Sequence, residues 1–218
     1  MSEPRGDDAY LDPYREAVKA FGASFEATLW LSREKQVRRF AVFTEMLDFT
    51  GRVIVDAGCG LGDFAAFLDT CEIPYGRYIG LEALPEMVEK ASARGLPEAE
   101  FHVADFARGI HVFREHEPDI VLFSGSLNTF ELEPMLGVID RAYDACAEAV
   151  AFNLLSSRNS APPSDPDDPA RRHDPLAVLA HLLGRTALVA FRQDYMDGRD
   201  ATFVAARSVP SGEALEME

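Results

Sequence analysis

The chain has 218 residues, 47% hydrophobic and 27% charged, the composition of one globular domain and not of a disordered polymer. Its 37 acidic against 21 basic residues give a formal net charge of −16, a field that repels a phosphate backbone and argues against a nucleic-acid partner. No apolar run approaches the roughly 20 residues that span a bilayer, and the opening MSEPRGDDAY lacks the basic start and apolar stretch of a signal peptide. No membrane partner and a cytoplasmic location are therefore expected.

Residues 1–12 read as polar and frayed. From Pro13 to Phe49 apolar residues recur at helical steps: Val18, Phe21, Phe25 and Leu29, then Val37, Phe40, Phe43 and Leu47. Trp30 and Ser32 mark a break between two helices, with Ser32 as the cap of the second. Residues 1–49 thus form a helical extension, expected to cap a cleft in the domain that follows at 50–208. Residues 209–218 read as a disordered tail.

After Gly51 the pattern changes. RVIVDAG, RYIGLE, EFHVAD, DIVLFSG, AVAFNLL, ALVAFRQ and ATFVAAR are short apolar runs rich in β-branched or aromatic residues, as in strands covered on both faces. Helical segments at Asp63–Thr70, Pro85–Arg94, Ile110–His116 and Leu132–Ala147 separate the first five, which predicts a parallel sheet. A further helix is predicted at Pro175–Leu183. The last two runs are joined only by DYMDGRD, too short for a crossover helix, so they form an antiparallel hairpin at the sheet edge. The predicted fold is α/β: a seven-stranded, mostly parallel, doubly wound sheet with a C-terminal antiparallel hairpin and N-terminal helices. The segment 156–174 (SSRNSAPPSDPDDPARRHD) is too long for a plain connection and reads as functional or disordered. Cys59, Cys71 and Cys146 have no metal-ligand spacing and read as small buried thiols, so no metal is expected.

VIVDAGCGLGDF is the most informative stretch. A strand ends at Asp56, and Gly58, Gly60 and Gly62 follow at alternate positions before a helix that opens at Asp63. Such glycines let the backbone turn sharply and let a ligand touch main chain where a Cβ would clash. A dinucleotide would need a third glycine at the sixth motif position and a pyrophosphate at the helix N-terminus. Asp63 stands there instead, and Asp56 precedes the turn. Both carboxylates suit a ligand that has no phosphate and carries positive charge.

With these residues the sequence resembles the class I S-adenosylmethionine (SAM)-dependent methyltransferases, Rossmann-like enzymes whose first motif is an acidic residue followed by GxGxG. The resemblance covers roughly residues 50–207. It implies SAM as cofactor, with S-adenosylhomocysteine (SAH) as product, bound around Asp56, Gly58, Cys59, Gly60 and Gly62. Glu82, with Ala83 after it, ends the second strand where the family places the acid that takes both ribose hydroxyls. A carboxylate can do so in bidentate fashion. Asp105 ends the third strand near the adenine amino group, with Phe106 placed to pack on the ring. Ser124, Gly125 and Ser126 close the fourth strand, facing the methyl group. Trp30, Gln36, Arg39 and Phe40, with AFNLLS and QDYMDGRDATFVAAR, resemble one group of bacterial methyltransferases, a likeness that carries no substrate with it.

Methyl transfer from SAM is an in-line displacement that needs alignment and desolvation, and a base only where the acceptor arrives protonated. Acceptor-wall candidates follow the strand tips: Ser126, Leu127 and Asn128, then Asn153, Ser156 and Arg158, with Tyr195 at the hairpin turn. Asn128 and His173 are the candidate catalytic residues, His173 as a base. Arg39, counted with the cofactor residues, and its neighbour Arg38 are candidates to reach over the pocket to the SAM carboxylate or to an acidic acceptor. The predicted function is methyl transfer to an unidentified small molecule. The alternative is a SAM- or SAH-binding regulatory protein without catalysis. Aminopropyl transfer ranks below both, for no acidic pair follows the fourth strand. The oligomeric state is left open.

Overall fold

The computed structural model describes residues 8–159 and 169–207. The predicted tail at 209–218, residues 1–7 and the middle of the 156–174 segment lie outside them. Strands β1 (Val53–Ala57), β2 (Arg77–Glu82), β3 (Ala99–Val103), β4 (Ile120–Phe123) and β5 (Ala149–Ser156) are parallel. The two-residue β6 (Arg172–His173) pairs in parallel with the tip of β5, and β7 (Val189–Arg192) and β8 (Asp200–Ala206) form the antiparallel hairpin. The sheet runs β3-β2-β1-β4-β5-β8-β7, so β8 inserts beside β5 and β7 takes the edge. The eighth strand, beyond the seven expected, is too short to show any side-chain period in sequence.

Alternate residues of the central strands feed two cores. Val55, Ile79, Val121 and Phe152 pack with Met135, Val138 and Ile139 of α6 (Leu132–Ala145) and Val178 of α7 (Pro175–Leu183). Ile54, Tyr78, Leu122 and Ala151 face the other way, against Phe40 and Phe43 of α2 (Arg33–Met46) and Phe64 and Leu68 of α3 (Asp63–Thr70). That two-faced cover is why these strands read as unbroken apolar runs. The short helices α4 (Pro85–Ser92) and α5 (His111–Arg114) complete the crossovers.

Ahead of the sheet, α1 (Asp12–Phe21) and α2 are separated by a 3-10 turn at Phe25–Thr28, and the Ser32 side chain caps α2 by accepting the Lys35 amide at 3.3 Å. The expected fraying of residues 1–12 fails from Ala9 onward: Ala9–Leu11 is a 3-10 turn with Leu11 buried and Tyr10 bonded to Asp105. A buried ion pair fastens α2 to the sheet, with Arg39 Nε donating to Asp200 Oδ1 at 2.5 Å where β8 begins. Breaking such a pair from one side leaves an uncompensated buried charge, at about 3–5 kcal/mol. Asp200→Ala is therefore expected to lower unfolding free energy by about that amount in urea titrations, and the double change Arg39→Met/Asp200→Leu to recover most of it. A double variant as unstable as the single one would refute this account.

Candidate functional site

A cavity of about 240 Å³ opens over the tips of β1, β2 and β4, beneath α1, α2 and the turn between them. Its floor is the glycine turn, where Gly58, Gly60 and Gly62 all have positive φ (80°, 56° and 70°). Gly58 and Gly62 lack side chains for different reasons. A Cβ on Gly58 would lie 2.4 Å from that of Ser126. One on Gly62 would lie 2.8 Å from the Phe101 ring, so this glycine serves packing behind the turn and does not line the cavity. Gly60 does line it. Cys59 lies buried in the turn, where burial raises its thiol pKa and keeps it neutral. Cys146 is buried as expected, but Cys71 is exposed, because it sits at the C-terminal end of α3 on the surface.

Glu82 ties the turn to β2. Its Oε2 accepts the Gly60 amide at 3.1 Å and its Oε1 the Leu84 amide at 3.0 Å. Burial raises its pKa, and the two amide donors work against that shift. Each oxygen keeps a lone pair for a ligand hydroxyl. Asp56 sits deeper, accepting from the Tyr78 hydroxyl through Oδ2, while its Oδ1 is buried without a partner. Burial pushes its pKa up to about 7. An unpartnered buried acceptor on a cavity wall is costly unless a donor arrives to meet it. Asp63 also lines the cavity, but it pairs with Arg94 and accepts from Gln36 Nε2 at 3.1 Å. Its charge is compensated within the protein, so the exclusion of a phosphate there rests on Asp56 and Glu82.

Ala83, Phe106, Ser124, Ser126 and Asn128 all line the cavity. Ser124 Oγ is buried without a partner, whereas Ser126 Oγ donates to the Ala57 carbonyl at 2.6 Å. Asn128 Oδ1 is taken by the Leu155 amide at 3.2 Å. The cavity therefore meets its N–H end, and no proton can be abstracted there.

Several expected placements change. Asp105 does not line the cavity: its carboxylate takes the Tyr10 hydroxyl, the Ala107 amide and Arg108 Nε, and Tyr10 stands in the cavity wall instead. His173, the candidate base, pairs with Ser156 in the sheet and is walled off, with its pKa lowered by burial. Tyr195 is buried against Thr202, 2.6 Å between hydroxyls. Asn153 holds the Gly125 amide at 2.8 Å beneath the surface, Arg158 pairs with Asp174, and Leu127 is core. Arg38 pairs with Glu45 outside the cavity, but Arg39 lines it. Tyr10 and Tyr14, one helical turn apart, line it as well and were not anticipated. Their i, i+4 spacing was the available signal.

Fold and glycine turn together define the class I, SAM-dependent methyltransferase architecture. In agreement, residues 54–149 match a family model described as a methyltransferase domain. No curated protein matches the sequence. Among solved structures, the DhpI–SAM–HEP complex is similar at a TM-score of 0.67 and 16% identity, covering 95% of this chain and all of the other (100%). A magnesium protoporphyrin IX methyltransferase from Synechocystis PCC 6803 with bound SAM is similar at 0.60 and 13% identity, covering 95% and 87%. A SAM-dependent methyltransferase from Aquifex aeolicus is similar at 0.60 and 16%, covering 81% and 93%.

The folded chain holds a proton on Asp56 up to about pH 7, while the unfolded chain releases it near pH 4. Folding takes up a proton between those limits, so the contribution of a neutral Asp56 is full below about pH 4 and is lost as pH rises toward 7. Relative to Asp56→Asn, the wild type is expected to lose stability across that window in urea unfolding. A difference that does not vary with pH would contradict a neutral, buried Asp56.

Proposed function

We infer that the protein transfers the methyl group of SAM to a small-molecule acceptor by in-line displacement. The observation that carries this reading is the pair of carboxylates at the glycine turn, Asp56 buried with an unpartnered oxygen and Glu82 half-buried and already oriented by two amides. Glu82 takes the ribose hydroxyls on its remaining lone pairs. Asp56 Oδ1 meets the cationic methionine end, directly or through water, and gives up its proton as it does so. Gly58, Cys59 and Gly60 let the ligand lie along main chain, Ala83 and Phe106 flank the base, and Ser124 faces the transferable methyl. SAM supplies an activated methyl on a sulfonium leaving group. What this chain contributes is alignment and exclusion of water.

Residues 8–49, the described part of the N-terminal extension, act as a cap in this reading. Tyr10, Tyr14, Trp30 and Arg39 all lie in the cavity wall, which supports it. Asp105 holds the cap through Tyr10 and does not read the adenine amino group. No described helix is long and apolar enough to cross a membrane.

Calorimetry tests the reading. SAM and SAH should bind the wild type. Glu82→Ala removes two charge-assisted acceptors and is expected to weaken SAH by about a hundredfold or more, at roughly 1.5–3 kcal/mol per bond. A folded wild type that gives no heat with either ligand would end the proposal.

A further inference from the structure

The two halves of the cavity differ in charge. Across the strand tips the order is β2, β1, β4, β5, β8. The lining acids Asp56, Asp63 and Glu82 belong to the β2–β1 half and the helix that follows it. Arg39 belongs to the other half, because its anchor Asp200 opens β8 opposite Leu155 near the tip of β5. The guanidinium carbon lies 4.4 Å from the centroid of the Trp30 ring, and that ring covers Gly125, where a Cβ would be 2.9 Å away. Asp200 and Trp30 together fix the plane of Arg39. Among the described residues Asp200 is its only hydrogen-bond acceptor, and it engages Nε. The Nη edge, a planar fork matched to a carboxylate, is left to the cavity that Arg39 lines.

The same half offers further donors and no base. Ser124 Oγ is buried without a partner, and Asn128 presents its N–H end. Among the described residues lining this half there is neither a carboxylate nor an imidazole. The wall toward the mouth is apolar, with Leu29, Trp30 and Leu31, and Leu31 is 84% exposed where the cavity meets solvent.

On the methyltransferase reading above, we propose that the acceptor is a hydrophobic carboxylic acid, held as its carboxylate by Arg39 and converted to its methyl ester. A carboxylate is ionised at neutral pH and has no proton to lose, which fits a wall of donors without a base. One carboxylate oxygen attacks the methyl carbon. The new C–O bond forms as the C–S bond breaks, and the bonding pair passes to sulfur. The negative charge of the acceptor and the positive charge of the sulfonium cancel, and no proton is released. Exclusion of water from the reacting atoms favours a step that neutralises charge. Arg39 binds and orients the acid, and Asp200 tempers its charge, so the oxygen keeps its nucleophilicity.

The test uses the full chain saturated with SAH. Affinities for benzoate, phenylacetate and hexanoate are compared by calorimetry with those for the corresponding amides. The acids are expected to bind at least tenfold more tightly than the amides. Arg39→Gln should abolish that preference while changing SAH affinity less than twofold. Because Arg39→Gln strands Asp200, the double variant Arg39→Gln/Asp200→Asn is measured alongside, with a melting curve for each. In parallel, methyl-tritiated SAM is incubated with acids, amines and alcohols, and mild alkali should release the transferred label as volatile methanol. Equal binding of acid and amide, loss of SAH binding in either variant, or an alkali-stable methylated product would overturn the proposal. The last outcome would leave methyl transfer itself standing, whereas a wild type that binds neither SAM nor SAH would remove both.

Discussion

The site depends on one carboxylate doing two structural jobs. Glu82 ends β2, yet its two oxygens hold the Gly60 amide and the Leu84 amide. It thereby fixes the turn after β1 against the turn after β2. A glycine-rich turn has more conformations to lose than any other segment, and without such a brace it would pay for that freedom on binding. Here the ordering is completed by folding. The carboxylate is also desolvated, and the amides that orient it hold its charged form against that penalty. Orientation of the turn and readiness to accept hydroxyls have a single origin.

Much of this was legible in the chain. The strands announced themselves because both faces of the sheet are covered, and the hairpin because seven residues cannot hold a crossover helix. Asp56, the glycines and Glu82 were legible because strand tips in this topology converge, so residues ending consecutive parallel strands meet regardless of what lies between. Partners were not legible. Asp105 also ends a strand, and its position invited the same reading, but Tyr10 reaches it across 95 residues and Arg108 across three. Arg39 and Asp200 meet across 161 residues. No periodicity encodes such a pair. His173 misled for a related reason: a histidine in a polar stretch reads as solvated and available, but two residues of parallel pairing with β5 are enough to bury it.

The N-terminal helices show how secondary structure and site can be separated in sequence. Their period was plain, but the face that matters is not the most apolar one. Phe40 and Phe43 pack into the core, while Gln36 and Arg39, nearly as buried, point polar groups at the cavity and its supports. A buried glutamine and arginine on a core helix conflict with local pattern, and such conflicts concentrate where a structure does something besides fold.

Charge is sorted across the sheet on a scale of a few strands. Carboxylates cluster by the first two parallel tips, and the lining cation and free donors gather beyond the fourth strand. On the proposed reading the first half suits a cationic ligand end and the second an anionic one. The overall charge of −16 says nothing of this, since most of the excess acid is solvated at the surface. Arg39 is already paired with Asp200 and stacked on Trp30. Its remaining fork therefore discriminates by shape as much as by charge, favouring a planar, two-oxygen anion over a compact one. That selectivity follows from Asp200 and Trp30 holding the plane. Lysine at position 39, a point charge on a flexible stem, would keep the sign but lose the fork.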